Sequence, residues 1–149
     1  MEVKKILCAV DLEDTIAPSV EYAKMMASMT GASILVAYVI PAHTPYEDVY
    51  LSVNNQPNEV NNPNETIQKS MNALLAEQFA GMDATGVILV GRPSEELVKL
   101  AEEKGANLVV MGTHGRAGFD RLLFGSVAHE VVRAAPCPVM TVRPLMPKK

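Results

Sequence analysis

A stretch with four glycines and a serine has the residue types of an anion-binding turn. It reads MGTHGRAGFDRLLFGS, with Gly112, Gly115, Gly118 and Gly125, and Ser126 follows the last of them. Glycine lets the backbone turn tightly and approach a ligand without a Cβ clash. The apolar residues after Ser126 have helical spacing, and a helix N-terminus offers unpaired N–H groups and a positive dipole end to phosphate. The stretch therefore predicts a phosphate site.

This stretch matches neither of two better-known phosphate loops. It has no lysine and no G-x4-G-K-[ST] pattern, which excludes a Walker A loop. From Gly112 the glycines run G-x2-G-x2-G, which differs from the dinucleotide fingerprint. A purely structural interpretation stays open, in which the glycines are turn residues and Ser126 is only a helix N-cap.

Catalytic groups are sparse around the stretch. His114 lies between two of its glycines, but no second acid, base or nucleophile stands beside it in the sequence. Phosphoryl transfer requires charge neutralisation and a positioned nucleophile. The charged candidates are Arg116 and Arg121, with Asp11, Glu13 and Asp14 as carboxylates. We therefore expect binding rather than efficient turnover, and we assign no catalytic residue.

The elements around the stretch alternate between apolar runs and amphipathic segments. The patterns predict strands at 3–11, 33–40, 86–91, 107–112 and 138–144, and helices at 17–31, 64–81, 93–105 and 126–135. Near-continuous apolar runs in the first four strands indicate burial on both faces, as in a parallel sheet covered by helices. We predict an α/β fold with a doubly wound, five-stranded parallel sheet in the order 3-2-1-4-5.

That strand order places a ligand crevice beside the glycine stretch. In a doubly wound sheet, ligands bind outside the carboxyl ends of the strands where the strand order reverses. The reversal falls between the first and fourth strands, whose ends carry Val10, Asp11, Met111 and Gly112. The stretch thus begins where the fold class predicts a site.

Composition and charge narrow the protein class. With 149 residues, 48% hydrophobic and 20% charged, the chain suits one globular domain over 1–149. A net charge of −4 and basic runs of only two lysines argue against nucleic-acid binding. No apolar run approaches the roughly 20 residues of a membrane span. The N-terminal apolar run breaks at Asp11 without a cleavage site, so we expect no signal peptide and a cytoplasmic protein.

The two cysteines and three histidines predict no metal site. Cys8 and Cys137 lie far apart, match no metal-ligand spacing, and are interpreted as buried hydrophobic residues. His129 is expected at the surface of the last helix, and no His/Cys/carboxylate spacing suggests zinc.

Two segments allow alternative interpretations. Residues 41–63 are rich in Pro, Asn and acidic residues, and they predict either a mobile insertion loop or a lid or partner surface. Prolines flank the last strand, which fits an edge strand protected from aggregation. Such an edge also fits pairing across a two-fold axis.

The motif Gly112-x2-Gly115-x9-Gly125-Ser126 resembles the nucleotide-binding signature of the universal stress protein family. The segment VMGTHGRAGFDRLLFGSVAHEVVRAAPCPVMTVRP resembles the C-terminal block of that family, and ILCAVD resembles its first strand. The resemblance implies a Rossmann-like fold of the adenine nucleotide alpha hydrolase type, binding of ATP with Mg²⁺ or Mn²⁺, and a homodimer through residues 138–143. The motif does not require Gly118, which we interpret as a turn residue.

The resemblance also implies roles for individual positions. It implies an adenine and ribose side formed by Ala9, Val10, Asp11, Val39, Met111 and Gly112. It implies that Gly115 and Arg116 lie near the ribose and phosphates, with phosphate donors at Gly125, Ser126 and Val127. Glu13 and Asp14 stand where the family often has a Gly-Ser pair, so the metal ligands remain unassigned.

Three functions fit these observations. The leading hypothesis is an ATP-binding regulatory module of a stress response. The second is a slow ATPase or phosphotransferase that uses the same site, because a fold does not decide function. The third is a chaperone-like dimer with a vestigial pocket.

Overall fold

The computed structural model describes residues 2–12, 17–41, 63–113 and 125–143. Its elements are β1 (Lys5–Ala9), α1 (Pro18–Thr30), β2 (Ser33–Pro41), α2 (Pro63–Gln78), β3 (Ala84–Gly91), α3 (Pro93–Lys104), β4 (Leu108–Gly112), α4 (Ser126–Ala134) and β5 (Val139–Val142). Their order confirms the predicted alternation, with ends that differ by a few residues. Apart from its two end residues, the predicted 41–63 loop lies outside the described residues, as do His114, Gly115 and Arg116.

The five strands form one parallel sheet in the order β3-β2-β1-β4-β5, which confirms the predicted topology. β1 lies in the centre, where Cys8 is opposite Val36 of β2 on one side and opposite Val110 of β4 on the other. β2 and β3 follow on one side of β1, and β4 and β5 follow on the other. The carboxyl ends of β1 and β4 are therefore adjacent at the point where the strand order reverses.

Alternate residues along each strand point into two separate apolar cores. Ile6 and Cys8 lie in the core under α1 and α2, which we call the α1–α2 core. Leu7 and Ala37 lie in the core under α3 and α4, the α3–α4 core. This period of two is what a strand imposes on its side chains. A sheet covered by helices on both faces explains the apolar runs of the central strands.

β3 departs from the prediction that the first four strands are buried on both faces. None of its residues is fully buried, and Val90 is 55% exposed. β3 ends the sheet and pairs only with β2 among the described strands. An edge strand has no neighbour on one side, so an apolar sequence there does not guarantee burial.

The helix ends follow local sequence signals. α1 and α3 stop at Gly31 and Gly105, which adopt the left-handed conformation with φ of 77° and 67°. That conformation suits glycine because it has no Cβ. α2 begins at Pro63. Proline is favoured in a first helical turn, where its missing N–H leaves no bond unmade.

Candidate functional site

The predicted switch-point residues lie side by side at the carboxyl edge of the sheet. Val10 and Asp11 directly follow β1, while Met111 and Gly112 end the neighbouring strand β4. The backbone N–H of Val10 donates to the Ala37 carbonyl at 2.9 Å and extends the pairing with β2. The strands alone thus bring residues about 100 positions apart in the chain to one edge.

Four predicted side chains share one face of the sheet. Ala9, Val39, Met111 and Val127 all belong to or pack against the α3–α4 core. Val39 and Met111 are almost completely buried, whereas Ala9 and Val127 keep part of their surface exposed. These four side chains therefore form one apolar layer on the α3–α4 side of this edge.

Val10 does not join that layer. Its side chain packs against the α1–α2 core on the opposite face. Successive residues of an extended segment point to opposite sides, so Ala9 and Val10 cannot both line one pocket with their side chains. Any contact between Val10 and a ligand on the α3–α4 side would come from its backbone.

The start of α4 lies against the end of β4 through a glycine. A Cβ atom built on Gly125 would overlap the carbonyl oxygen of Thr113 and lie 3.1 Å from its carbonyl carbon. Thr113 is 3% exposed, and its N–H donates to the Val142 carbonyl at 3.1 Å. Both partners in this contact are backbone atoms, so no flexible side chain can move away to make room. Gly125 is therefore required by close approach.

None of the described side chains caps the first turn of α4. Its N-cap residue is Gly125, which has no side chain to accept a bond, and the side chain of Ser126 is exposed at the first helical position. The interpretation of Ser126 as only an N-cap is therefore wrong. The N-terminal N–H groups of a helix require acceptors, which are side chains, water or a bound anion.

A crevice of about 900 Å³ adjoins this helix end. It opens where β2 and β3 end and runs between the first turns of α3 and α4. The residues that line it are Pro41, Gly91, Arg92, Pro93, Ser94, Glu95, Glu96, Ser126, Val127 and Glu130. The crevice thus reaches from the end of β3 to two of the residues predicted to contact phosphate.

Four polar residues of the crevice form a network that the sequence analysis missed. The Ser94 hydroxyl donates to Oε2 of Glu130, and Arg92 Nη2 lies 3.7 Å from Oε1 of the same carboxylate. Arg92 Nη1 also approaches Glu95 Oε1 at 3.4 Å. Glu130 lies four residues after Ser126 and so shares its helix face, which is the one signal available in the sequence. No local pattern relates it to residue 94.

The cysteines do not contribute chemistry to this site. Cys8 is fully buried in the α1–α2 core, and its burial raises the pKa of the thiol to about 12. Cys137 is only half-buried, which corrects the prediction that both are buried, and burial also raises its pKa. The thiolate is the reactive form, so both thiols are weakly nucleophilic near neutral pH. Within the described residues, no cluster of three His, Cys, Asp or Glu could hold a metal ion.

The described helices are all too short or too polar to cross a membrane. Gly115 and Arg116 of the predicted site, together with His114, Glu13 and Asp14, lie outside the described residues.

Comparison with known proteins identifies the family of this chain. The model of the universal stress protein family matches residues 2–143. The chain belongs to the universal stress protein family. Among its relatives in Methanocaldococcus jannaschii, universal stress protein MJ0577 is 28% identical over 94% of both chains. Universal stress protein MJ0531 is 33% identical over 98% of this chain and 84% of its own length.

Solved structures of this family share the fold. The structure of MJ0577 superposes with a TM-score of 0.80 and 25% identity, over 99% of this chain and 100% of that one. A universal stress protein from Archaeoglobus fulgidus in complex with dAMP has a TM-score of 0.57 and 25% identity, over 95% and 98% of the two chains. A family member of this fold thus binds an adenine nucleotide.

Proposed function

We propose that this universal stress protein binds ATP and acts as a nucleotide-dependent regulatory module of a stress response. The observation that carries the proposal is the first turn of α4, which begins at Ser126 beside the end of β4 and receives no cap from the described side chains. Its N–H groups and dipole favour phosphate at the edge where doubly wound sheets bind ligands. The dAMP complex of the Archaeoglobus fulgidus relative supports an adenine nucleotide.

The proposed contacts divide into a base side and a phosphate side. For adenine and ribose we propose Ala9, Val10 through its backbone, Asp11, Val39, Met111 and Gly112. For the phosphates we propose Gly125, Ser126 and Val127. We also propose Gly115 and Arg116 near the ribose and phosphates. Apolar walls with a few polar groups are typical of ligand sites, and the burial of Val39 and Met111 supports this division.

A Mg²⁺ or Mn²⁺ ion is proposed as a companion of ATP. The described residues contain no set of three side chains that could hold such an ion. Magnesium commonly keeps several waters and binds through one or two carboxylates plus substrate phosphates. Asp11, half-buried after β1, is the described carboxylate that we propose beside it.

We further propose that the protein is a cytoplasmic homodimer joined through residues 138–143. β5 pairs with β4 on one side, and its other edge has no partner among the described strands. An open strand edge suits pairing with a second copy across a two-fold axis. Both cysteines are free thiols, which is consistent with a reducing compartment.

Mass spectrometry of nucleotide released from freshly purified protein tests the proposed ligand. ATP or another adenine nucleotide should be released, and calorimetric titration of the emptied protein should show binding of ATP but weaker binding of GTP. The absence of adenine nucleotide, together with no binding at millimolar ATP, would exclude the proposal. An ATPase assay against heat-denatured protein then separates binding from slow turnover.

A further inference from the structure

A partly buried hydrogen bond joins the two helices that border the crevice. The Ser94 hydroxyl, in the first turn of α3, donates to the Glu130 carboxylate in the middle of α4. Ser94 is 4% exposed, so its hydroxyl requires a partner within the protein. The second carboxylate oxygen of Glu130 faces Arg92 Nη2 at 3.7 Å. The bond therefore links residues 36 positions apart.

Apolar packing alone holds α4 only loosely along its axis. The helix has nine residues, and those it buries are Ala128 and Val131. Hydrophobic contact is not directional, and small side chains form shallow ridges that resist sliding weakly. A hydrogen bond loses strength when its length or angle changes. The Ser94–Glu130 bond therefore adds a directional restraint on the axial position and rotation of α4 relative to α3.

Glu130 lies one helical turn beyond Ser126 on the same face of α4. A bond that fixes Glu130 also fixes the first turn of the helix. Phosphate donors must be held within about 0.5 Å of their productive positions. The proposed phosphate groups thus depend on a contact that never touches the ligand.

We propose that Ser94 and Glu130 are positioning residues that fix the first turn of α4 for phosphate binding. This inference rests on the proposed ATP site. It differs from a role for the charge of Glu130, because a carboxylate one turn from phosphate repels it. The positioning role depends on the hydrogen bond, while the charge role depends on ionisation.

Four variants distinguish these roles when ATP and adenosine are titrated into each by calorimetry. Ser94→Ala and Glu130→Ala remove the hydrogen bond, whereas Glu130→Gln keeps an acceptor for Ser94 without the charge. His129→Gln is the control, because His129 is exposed on the same helix. Melting curves establish that each variant folds.

The positioning role predicts that Ser94→Ala and Glu130→Ala weaken ATP binding by about fivefold to tenfold. Adenosine should bind all four variants within about twofold of wild type, since it carries no phosphate. Glu130→Gln and His129→Gln should keep ATP affinity within about threefold. If Glu130→Ala unfolds, Ser94→Ala and Glu130→Gln still make the comparison.

Three results would overturn the inference. These are unchanged ATP affinity in Ser94→Ala, equal losses for ATP and adenosine, and a loss in Glu130→Gln as large as in the variants without the bond. If the wild-type protein binds no nucleotide, the proposed function is wrong and a separate measurement is needed for the positioning role. The His129 amide, bonded to the Gly125 carbonyl at 3.0 Å, should then still exchange with deuterium faster in Ser94→Ala. Unchanged exchange would remove the positioning role as well.

Discussion

Gly125 and Thr113 approach so closely that no side chain fits between the start of α4 and the end of β4. The contact is between backbone atoms, so neither partner can rotate away. It joins the strand edge where the sheet order reverses to the helix end that we propose for phosphate. The geometry of the site therefore depends on the absence of a single Cβ atom.

Replacing Gly125 with alanine tests that contact. The new methyl group should push α4 away from β4 and lower the free energy of unfolding by about 1–3 kcal/mol, as overpacking typically does. ATP affinity should fall with it, because the helix end moves. Urea denaturation and calorimetry measure both quantities. Ser126→Ala is the control, since its exposed side chain should change stability by about 0.5 kcal/mol or less; equal stability of the two variants would contradict the contact.

Replacing Ser126 with aspartate should change stability and binding in opposite directions. A carboxylate in the first turn of α4 interacts favourably with the helix dipole and should add about 0.3–1 kcal/mol to the free energy of unfolding. The same charge repels phosphate, so ATP should bind about tenfold or more weakly while adenosine changes little. Ser126→Asn controls for size. A variant that binds ATP as tightly as Ser126→Asn would place the phosphates elsewhere.

Replacing Thr141 with proline should separate the proposed dimer from the fold. The carbonyls of Pro138 and Val142 accept bonds from β4, so alternation turns the N–H and C=O of Thr141 toward the open edge. Proline there removes a donor that β4 does not use. Light scattering should report a monomer. Circular dichroism should show the same helix and strand content as in wild type.

Met140→Pro is the matched control for Thr141→Pro, because the Met140 N–H faces β4 under the same alternation. This variant should be destabilised by about 1–3 kcal/mol, because a ladder hydrogen bond is lost and a buried acceptor on β4 is left without its partner. A Thr141→Pro protein that stays dimeric would exclude pairing through this edge.

The buried thiol of Cys8 predicts a loss of stability at alkaline pH. Burial raises the pKa of Cys8 from 9.0 to about 12, so the folded protein keeps the thiol proton after the unfolded chain has lost it. The stabilisation that the protonated Cys8 thiol gives the folded state is intact below pH 9. It is lost as pH rises toward 12, at about 1.4 kcal/mol per pH unit. The free energies of unfolding of wild type and Cys8→Ala should therefore become more similar as pH increases. A difference that stays constant with pH would show that Cys8 does not titrate in this way.

Much of the fold was predictable because its signals are local or periodic. The apolar runs identified each strand, and Gly31 and Gly105 marked helix ends where a left-handed residue is needed. Right-handed crossovers led to the doubly wound fold class, and the predicted strand order is the usual one of that class. β3 shows the limit, since its apolar sequence matched a buried strand although it ends the sheet.

The candidate site was predictable only in part. Its backbone elements, the ends of β1 and β4 and the start of α4, followed from motif spacing and topology. The sequence did not show that the Val10 side chain faces the α1–α2 core or that Ser126 follows the N-cap, because side-chain direction depends on the exact residue at which a strand ends or a helix begins.

The sequence by itself determined the alternation of elements and the turn at the glycines, because both depend on local propensity, and it indicated the fold class to which the sheet order belongs. Tertiary structure alone decided which distant groups meet. The Thr113 carbonyl excludes a side chain at Gly125, and Ser94 of α3 reaches Glu130 of α4. These contacts depend on how helices pack across a sheet, and packing joins surfaces whose separation along the chain carries no periodic signal.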